Sequence, residues 1–241
     1  MRRIDVGILR AAEIKFDLIG GFCSGAPFSA KENVVSVVDG RLFFNGCRYD
    51  SLCFVPKDNG SRFLLYDVVI GVNFHWQRKE NQFFTGELHF IVEDGEVRAV
   101  NRLPVEDYLV SVISSEMSAT SSLELLKAHT IISRSWLYAQ LQRSGKVQQG
   151  VLGWENENEI IRWYAREDHT LFDFCADDHC QRYQGVTRAA NPNVERAVRE
   201  TADIVLMYGD EVCDARFSKC CGGVTERFSA CWENEDYDYL K

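Results

Sequence analysis

The first hundred residues alternate between short apolar runs and sharp polar breaks. Asp39-Gly40, Asn45-Gly46 and Asp94-Gly95 are dipeptides that two-residue hairpin turns favour, because both central positions need positive φ. Their flanks, VVSVV, RLFF, LHFIV and EVRAV, are rich in β-branched and aromatic residues, so residues 1–103 read as a β-rich lobe. The period changes at Pro104, which suits the first turn of a helix; Tyr108, Val112 and Ser115/Glu116 then recur at helical spacing. PVEDYLVSVISSEM is therefore a helix whose apolar face ends in a carboxylate. After a break at SATSS, Ser121 with Glu124 predicts a capping box for a second helix running to about Arg143. Its face carries Leu126, Thr130, Ser133, Leu137 and Leu141, and Ser144-Gly145 ends it.

Residues 145–168 are polar and acidic and suggest a surface excursion with one short helix. A cysteine- and histidine-rich stretch follows, then a helix near 193–202 and a hairpin turning at Gly209-Asp210. With no repeat and no low-complexity linker, the chain reads as one α+β domain over 1–241. A β-rich lobe (1–103) stands around a central helical pair (104–144) that carries Glu116, followed by a region (145–241) with the Cys/His stretch, a C-terminal β-hairpin and a Gly-Gly loop.

Composition supports a packed core: of 241 residues 46% are hydrophobic and 12% aromatic. A formal charge of −9, with no basic stripe, argues against nucleic acid as partner. No run approaches the roughly 18 apolar residues a membrane-spanning helix needs. The start, MRRIDVGILRAAEIKF, reads as a first strand, with no apolar leader core or cleavage site.

The chain holds nine cysteines. Cys23, Cys47, Cys53, Cys213 and Cys231 lie in apolar surroundings and read as small buried hydrophobes. His169, Cys175, His179 and Cys180 form the Cys₂His₂ inventory of a tetrahedral structural zinc, although the spacing is not that of a zinc finger. Both His179 and Cys180 can ligate only if the backbone bends between them. A catalytic three-ligand zinc, or free thiols with solvated imidazoles, are the other readings. Ser218-Lys219-Cys220-Cys221-Gly222-Gly223-Val224-Thr225 is a tight loop, either a plain hairpin connection or a surface whose amides and hydroxyls face a ligand. A cysteine nucleophile there lacks a histidine nearby in sequence. Glu116 itself has two readings. Loss of hydration on an apolar helix face favours a protonated carboxyl, the state of a general acid. On spacing alone, a helix-end glutamate paired with Arg134 or Lys127 is the stronger reading.

Three ordered motifs change that weighting. RLPVEDYLVSVISSEMSATSSLELLKAHTIISRSWLYA, CQRYQG at 180–185 and ARFSKCCGGVTE at 215–226 resemble the SpoIID family, the peptidoglycan-cleaving proteins named for stage II sporulation protein D. The VGIL strand and ETADIVLMY also fit. The resemblance implies a lytic transglycosylase acting on glycan strands stripped of stem peptides, with Glu116 as the acid/base. It implies zinc held by the stretch from His169 to Cys180. By motif position, Arg134, Gln181, Tyr183, Ser218, Gly222, Gly223 and Thr225 would contact substrate, with Tyr183 or Trp136 suited to stacking under a sugar. It also implies work in the cell envelope. Two departures stand out: Lys219-Cys220-Cys221 replaces serines before the Gly-Gly, and His129 follows Ala128 where Gln is usual. The chain ends soon after the third motif, where family members continue. A non-catalytic peptidoglycan-binding scaffold of the same fold and a zinc-dependent hydrolase are the competing functions.

Overall fold

The computed structural model describes residues 2–72, 74–143, 153–162, 169–187, 191–218, 220–232 and 234–241. The strand-rich beginning comprises β1 (Arg3–Ala11), β2 (Glu13–Ile19), β3 (Phe22–Cys23), β4 (Asn33–Val38), β5 (Arg41–Phe44), β6 (Cys47–Tyr49), β7 (Leu52–Pro56), β8 (Arg62–Ile70), β9 (Arg78–Phe84), β10 (Glu87–Glu93) and β11 (Glu96–Pro104). There follow α1 (Val105–Glu116), α2 (Leu123–Arg143), β12 (Gly153–Glu155), β13 (Ile160–Arg162), β14 (Phe174–Cys175), α3 (Pro192–Glu200), β15 (Met207–Tyr208), β16 (Glu211–Val212) and α4 (Phe228–Cys231). The architecture is α+β, a β-rich lobe followed by a helical pair. Among the described residues no helix is long and apolar enough to cross a membrane.

Contacts divide the chain into two compact units, Met1–Lys127 with His169–Ala202 and Ala128–Asp168 with Asp203–Lys241. The first unit holds two six-stranded sheets, ordered β14-β1-β11-β10-β7-β3 and β6-β5-β4-β2-β8-β9. Between them lies an aromatic core: the Phe16 ring is 5.2 Å from Phe54 and 4.9 Å from Phe90, and all three are fully buried. The three predicted hairpin turns form with both central residues at positive φ, for example Asp39 at 51° and Gly40 at 75°. Ile113 of α1, Leu126 from the first turn of α2, and Val194 and Ala197 of α3 form a second buried cluster in this unit. Asn191 caps α3 by accepting the Asn193 N–H at 2.9 Å.

Several expectations need correction. The residue capping α2 is Ser122, whose Oγ accepts the Leu125 N–H at 3.4 Å, and Glu124 pairs with Lys127 instead of closing a capping box. Of the five cysteines expected to be buried only Cys213 is; Cys53 is half-buried and Cys23, Cys47 and Cys231 are exposed. Strand alternation explains Cys53, which points outward between the buried Leu52 and Phe54. Where a short helix was expected within 145–168, residues 153–162 pair as antiparallel β12 and β13; residues 144–152 and 163–168 lie outside the described residues.

In the second unit the body of α2 is buried on most sides, Arg134, Ser135 and Gln140 included. Ser135 Oγ accepts the Leu206 N–H at 2.8 Å, and Arg143 pairs with the buried Asp214 at 2.8 Å. β15 and β16 form the expected hairpin, turning at Gly209 with φ 60°.

Candidate functional site

Helix α1 buries Tyr108, Leu109, Val112 and Ile113 and delivers Glu116 as its last residue, half-buried. A helix C-terminus disfavours negative charge, because its last carbonyls point outward. The compensation comes from a neighbouring segment of the same unit. The Arg182 backbone N–H donates to Glu116 Oε1 at 2.8 Å, which fixes the carboxylate. Within this unit and among the described residues, no protein group hydrogen-bonds Oε2. Lys127 is engaged with Glu200 at 2.7 Å and Glu124 at 3.2 Å, so the helix-end ion pair open to Glu116 on spacing alone does not form with it.

The segment supplying that amide is held by contacts at each residue from Gln181 to Gln184. Tyr108 donates to Gln181 Oε1 at 3.3 Å, and Ser111 Oγ accepts the Gln184 N–H at 3.1 Å. The Tyr183 ring stacks on Tyr108 at 5.1 Å, while its hydroxyl donates to Asn101 at 2.6 Å. The Arg182 guanidinium lies 5.3 Å over Trp76 and pairs with Asp178 at 2.8 Å. Burial pushes the Tyr108 and Tyr183 hydroxyls well above the ordinary tyrosine range, so both stay neutral donors.

The chain reaches Arg182 directly from the thiol and imidazole cluster. β14 runs parallel to β1, with Gly7 opposite Cys175, and the Cys180 N–H to Asp177 carbonyl bond at 3.1 Å closes the bend that separates His179 from Cys180. His169, Cys175, His179 and Cys180 each bring a donor atom within 4.8 Å of the others. Cys180 Sγ lies 3.4 Å from His169 Nε2 and 3.5 Å from His179 Nδ1, and Cys175 Sγ 3.8 Å from His179 Nδ1. Zinc–sulfur bonds of about 2.3 Å and zinc–nitrogen bonds of about 2.0 Å give a tetrahedral S···N edge of about 3.5 Å. The donor set fits zinc in kind and spacing. The Cys175 thiol is pulled well below the usual thiol range, first by hydrogen bonding to Cys180 and then by His169 and His179, against the opposing effect of burial.

Several other expected contacts are buried. Gln181 and Tyr183 are each 2% exposed; they pack against α1 rather than lining an open groove. Trp136 is buried as well. Arg134 is fully buried in the second unit, where Nη1 donates to the Ile204 carbonyl at 3.1 Å, so it is no helix-surface ion pair. In the same unit Ser218, Gly222, Gly223 and Thr225 form an open loop, with Gly222 and Gly223 at φ 66° and 109°; Lys219 lies outside the described residues. The Arg182 amide was missed because a backbone donor leaves no side-chain signature; its place between Gln181 and Tyr183 in CQRYQG was the available clue.

His129, one of the two departures, is 3% exposed with neither ring nitrogen hydrogen-bonded among the described residues, and meets Phe217 edge-on at 4.8 Å. Burial pushes its pKa from 6.5 down to about 4. The unfolded chain takes up the proton near 6.5 and the folded chain only near 4. Stability is therefore complete above the upper value and is lost as pH falls through that window, by on the order of 2–3 kcal/mol. Urea unfolding at pH 7.5 and 4.5 should show a smaller acid loss in His129→Gln than in wild type. Equal losses in both would rule out His129 as the cause.

Residues 93–208 match the family model described as SpoIID, stage II sporulation protein. An uncharacterized protein of Brachyspira hyodysenteriae is 28% identical over 144 residues, 59% of this chain and 33% of that protein. Stage II sporulation protein D of Bacillus subtilis is 23% identical over 145 residues, 60% of this chain and 39% of that protein. Stage II sporulation protein D of Bacillus amyloliquefaciens is 23% identical over 145 residues. The alignments thus span a third to two-fifths of these relatives' length. The matched stretch contains Glu116, the Cys/His cluster and the Arg182 anchor, and over it the chain is similar to the SpoIID family.

Proposed function

We propose that this chain cleaves the glycan strands of peptidoglycan in the cell envelope as a lytic transglycosylase, with Glu116 as its sole acid/base. Similarity to the SpoIID family supports a sporulation-related cell-wall role. The observation that carries the reaction is the asymmetry of the carboxylate, one oxygen held by the Arg182 amide and the other without a protein partner in its unit. A general acid needs both a fixed position and a free oxygen facing its substrate. On α1 the remaining carboxylates, Glu106 and Asp107, stand about 15 and 13 Å along the axis from Glu116, beyond the roughly 5–9.5 Å that separates the paired carboxylates of ordinary glycosidases. A transglycosylase works with one. Glu116 gives its proton to the leaving glycosidic oxygen as the C1–O bond breaks. The muramic acid 6-hydroxyl then bonds to C1 and returns its proton to Glu116. Denuded strands are the preferred substrate. Mass spectrometry of their digest should show 1,6-anhydro ends, lighter by one water than hydrolysed ends; hydrolysed ends or intact strands overturn the reading.

His169, Cys175, His179 and Cys180 would hold one structural zinc. When bound, it supplies a cross-link between the 169–180 segment and the sheet edge, and no chemical step. Chelation should lower the thermal midpoint and remove at least one equivalent of zinc per chain. It should also lower glycan cleavage, because Arg182 follows Cys180 by two residues. A thermal midpoint and metal content unchanged by chelator would exclude the zinc.

A further inference from the structure

We propose a second metal site on the outer face of the β-rich lobe, formed by Cys53, His89 and Glu87 and suited to a thiolate-preferring divalent cation such as Zn²⁺ or Cd²⁺. Cys53 of β7 and His89 of β10 are direct partners in the antiparallel register, and Glu87 lies two residues before His89. Alternation sends Leu52, Phe54, Leu88 and Phe90 into the core and these three side chains to the opposite face, where each is half-buried. Cys53 Sγ lies 3.5 Å from His89 Nε2, and Glu87 Oε2 lies 2.8 Å from the same nitrogen.

That shared nitrogen decides between two chemistries. A nucleophile relay uses both ring nitrogens, one facing the thiol and the other the orienting carboxylate. Here thiol and carboxylate meet the same nitrogen, so the cluster is no relay. Three donors instead converge on one point, all within 4.8 Å of one another. The 3.5 Å sulfur–nitrogen separation matches an edge of a tetrahedral zinc site, and the 2.8 Å oxygen–nitrogen pair must open by about half an ångström, given bonds of about 2.0–2.3 Å. Arg3 Nη2 holds Glu87 Oε1 at 2.7 Å, the kind of outer contact that orients a metal-binding carboxylate, and leaves Oε2 turned to the imidazole. Cys23 of β3 pairs with Val55, which puts it on the same face as Cys53, and its thiol now donates to the Val55 carbonyl at 3.4 Å. Binding displaces the Cys53 proton to solvent. None of these residues belongs to the His169–Cys180 cluster, so the two sites are separable.

The test is equilibrium dialysis of the full, reduced, chelator-stripped chain against Cd²⁺, with bound metal and thiolate-to-metal ultraviolet absorption as readouts. Cys53→Ser and His89→Ala should each bind one equivalent less than wild type at micromolar metal, with circular dichroism unchanged. Cys47→Ser removes an exposed cysteine outside the cluster and should leave the stoichiometry as it was. The site is overturned if Cys53→Ser and His89→Ala bind as much metal as wild type, or if Cys47→Ser loses an equivalent too.

Discussion

Glu116→Gln should abolish release of 1,6-anhydro ends from denuded glycan while leaving the fold intact. Glutamine keeps the side-chain length and still presents a carbonyl oxygen to the Arg182 amide, which donates to Oε1 at 2.8 Å. The anchor that seats the end of α1 therefore survives. What disappears is the ability to give a proton to the leaving oxygen and take one from the attacking hydroxyl. Positioned proton transfer is worth about 10²–10⁴-fold, and with one carboxylate serving both steps the loss should reach the upper part of that range. Glu116→Asp should also be impaired. A side chain shorter by one methylene cannot keep the Arg182 bond and hold its free oxygen in the same place. The measurement is the initial rate of anhydro-end release by mass spectrometry, with thermal midpoints compared in parallel. Wild-type rates from Glu116→Gln would remove Glu116 from the chemistry, whatever the strands' fate.

The parts of this molecule that were legible in sequence are those set by local rules. Asp39-Gly40 and Asn45-Gly46 turn as they do because the conformation demands such residues, wherever the strands lie. The apolar spacing from Tyr108 to Glu116 fixes α1, and the Cys/His inventory from His169 to Cys180 converges once the backbone bends at 177–180. The illegible parts depend on where a segment is packed. Gln181 and Tyr183 sit in a family motif, but a motif does not distinguish residues that touch a ligand from residues that hold the helix bearing Glu116. Tyr183 lies between Tyr108 and Phe84 and is of the second kind. Arg134 read as a helix-surface ion pair or a substrate contact, yet its side chain is fully buried. Cys53 looked like core because its neighbours are core; period-two alternation sends it outward. The same outward turn makes it available as a ligand.

Gly185→Ala should be among the most damaging single substitutions in the chain, and comparison with Gly40→Ala separates its causes. Both glycines have positive φ, 61° and 75°, where an alanine costs about 1–2 kcal/mol. Gly40 has nothing within 4 Å of an added Cβ, so Gly40→Ala should cost only that. At Gly185 the new methyl would fall on the Phe83 carbonyl oxygen and lie 2.6 Å from Phe84 Cδ1. The segment must then leave β9. Two hydrogen bonds go with it, Val186 N–H to the Phe83 carbonyl at 2.7 Å and Phe83 N–H to Thr187 Oγ1 at 2.9 Å. At about 0.5–1.5 kcal/mol each, they bring the expected loss to on the order of 2–5 kcal/mol in urea unfolding. The displacement should also reach the chemistry, because the Arg182 amide that holds Glu116 lies three residues upstream on the same segment. At a temperature where both variants are folded, Gly40→Ala should cleave glycan normally and Gly185→Ala should not. Equal stability losses with equal activity in the two variants would show that the 181–187 segment does not depend on its contact with β9.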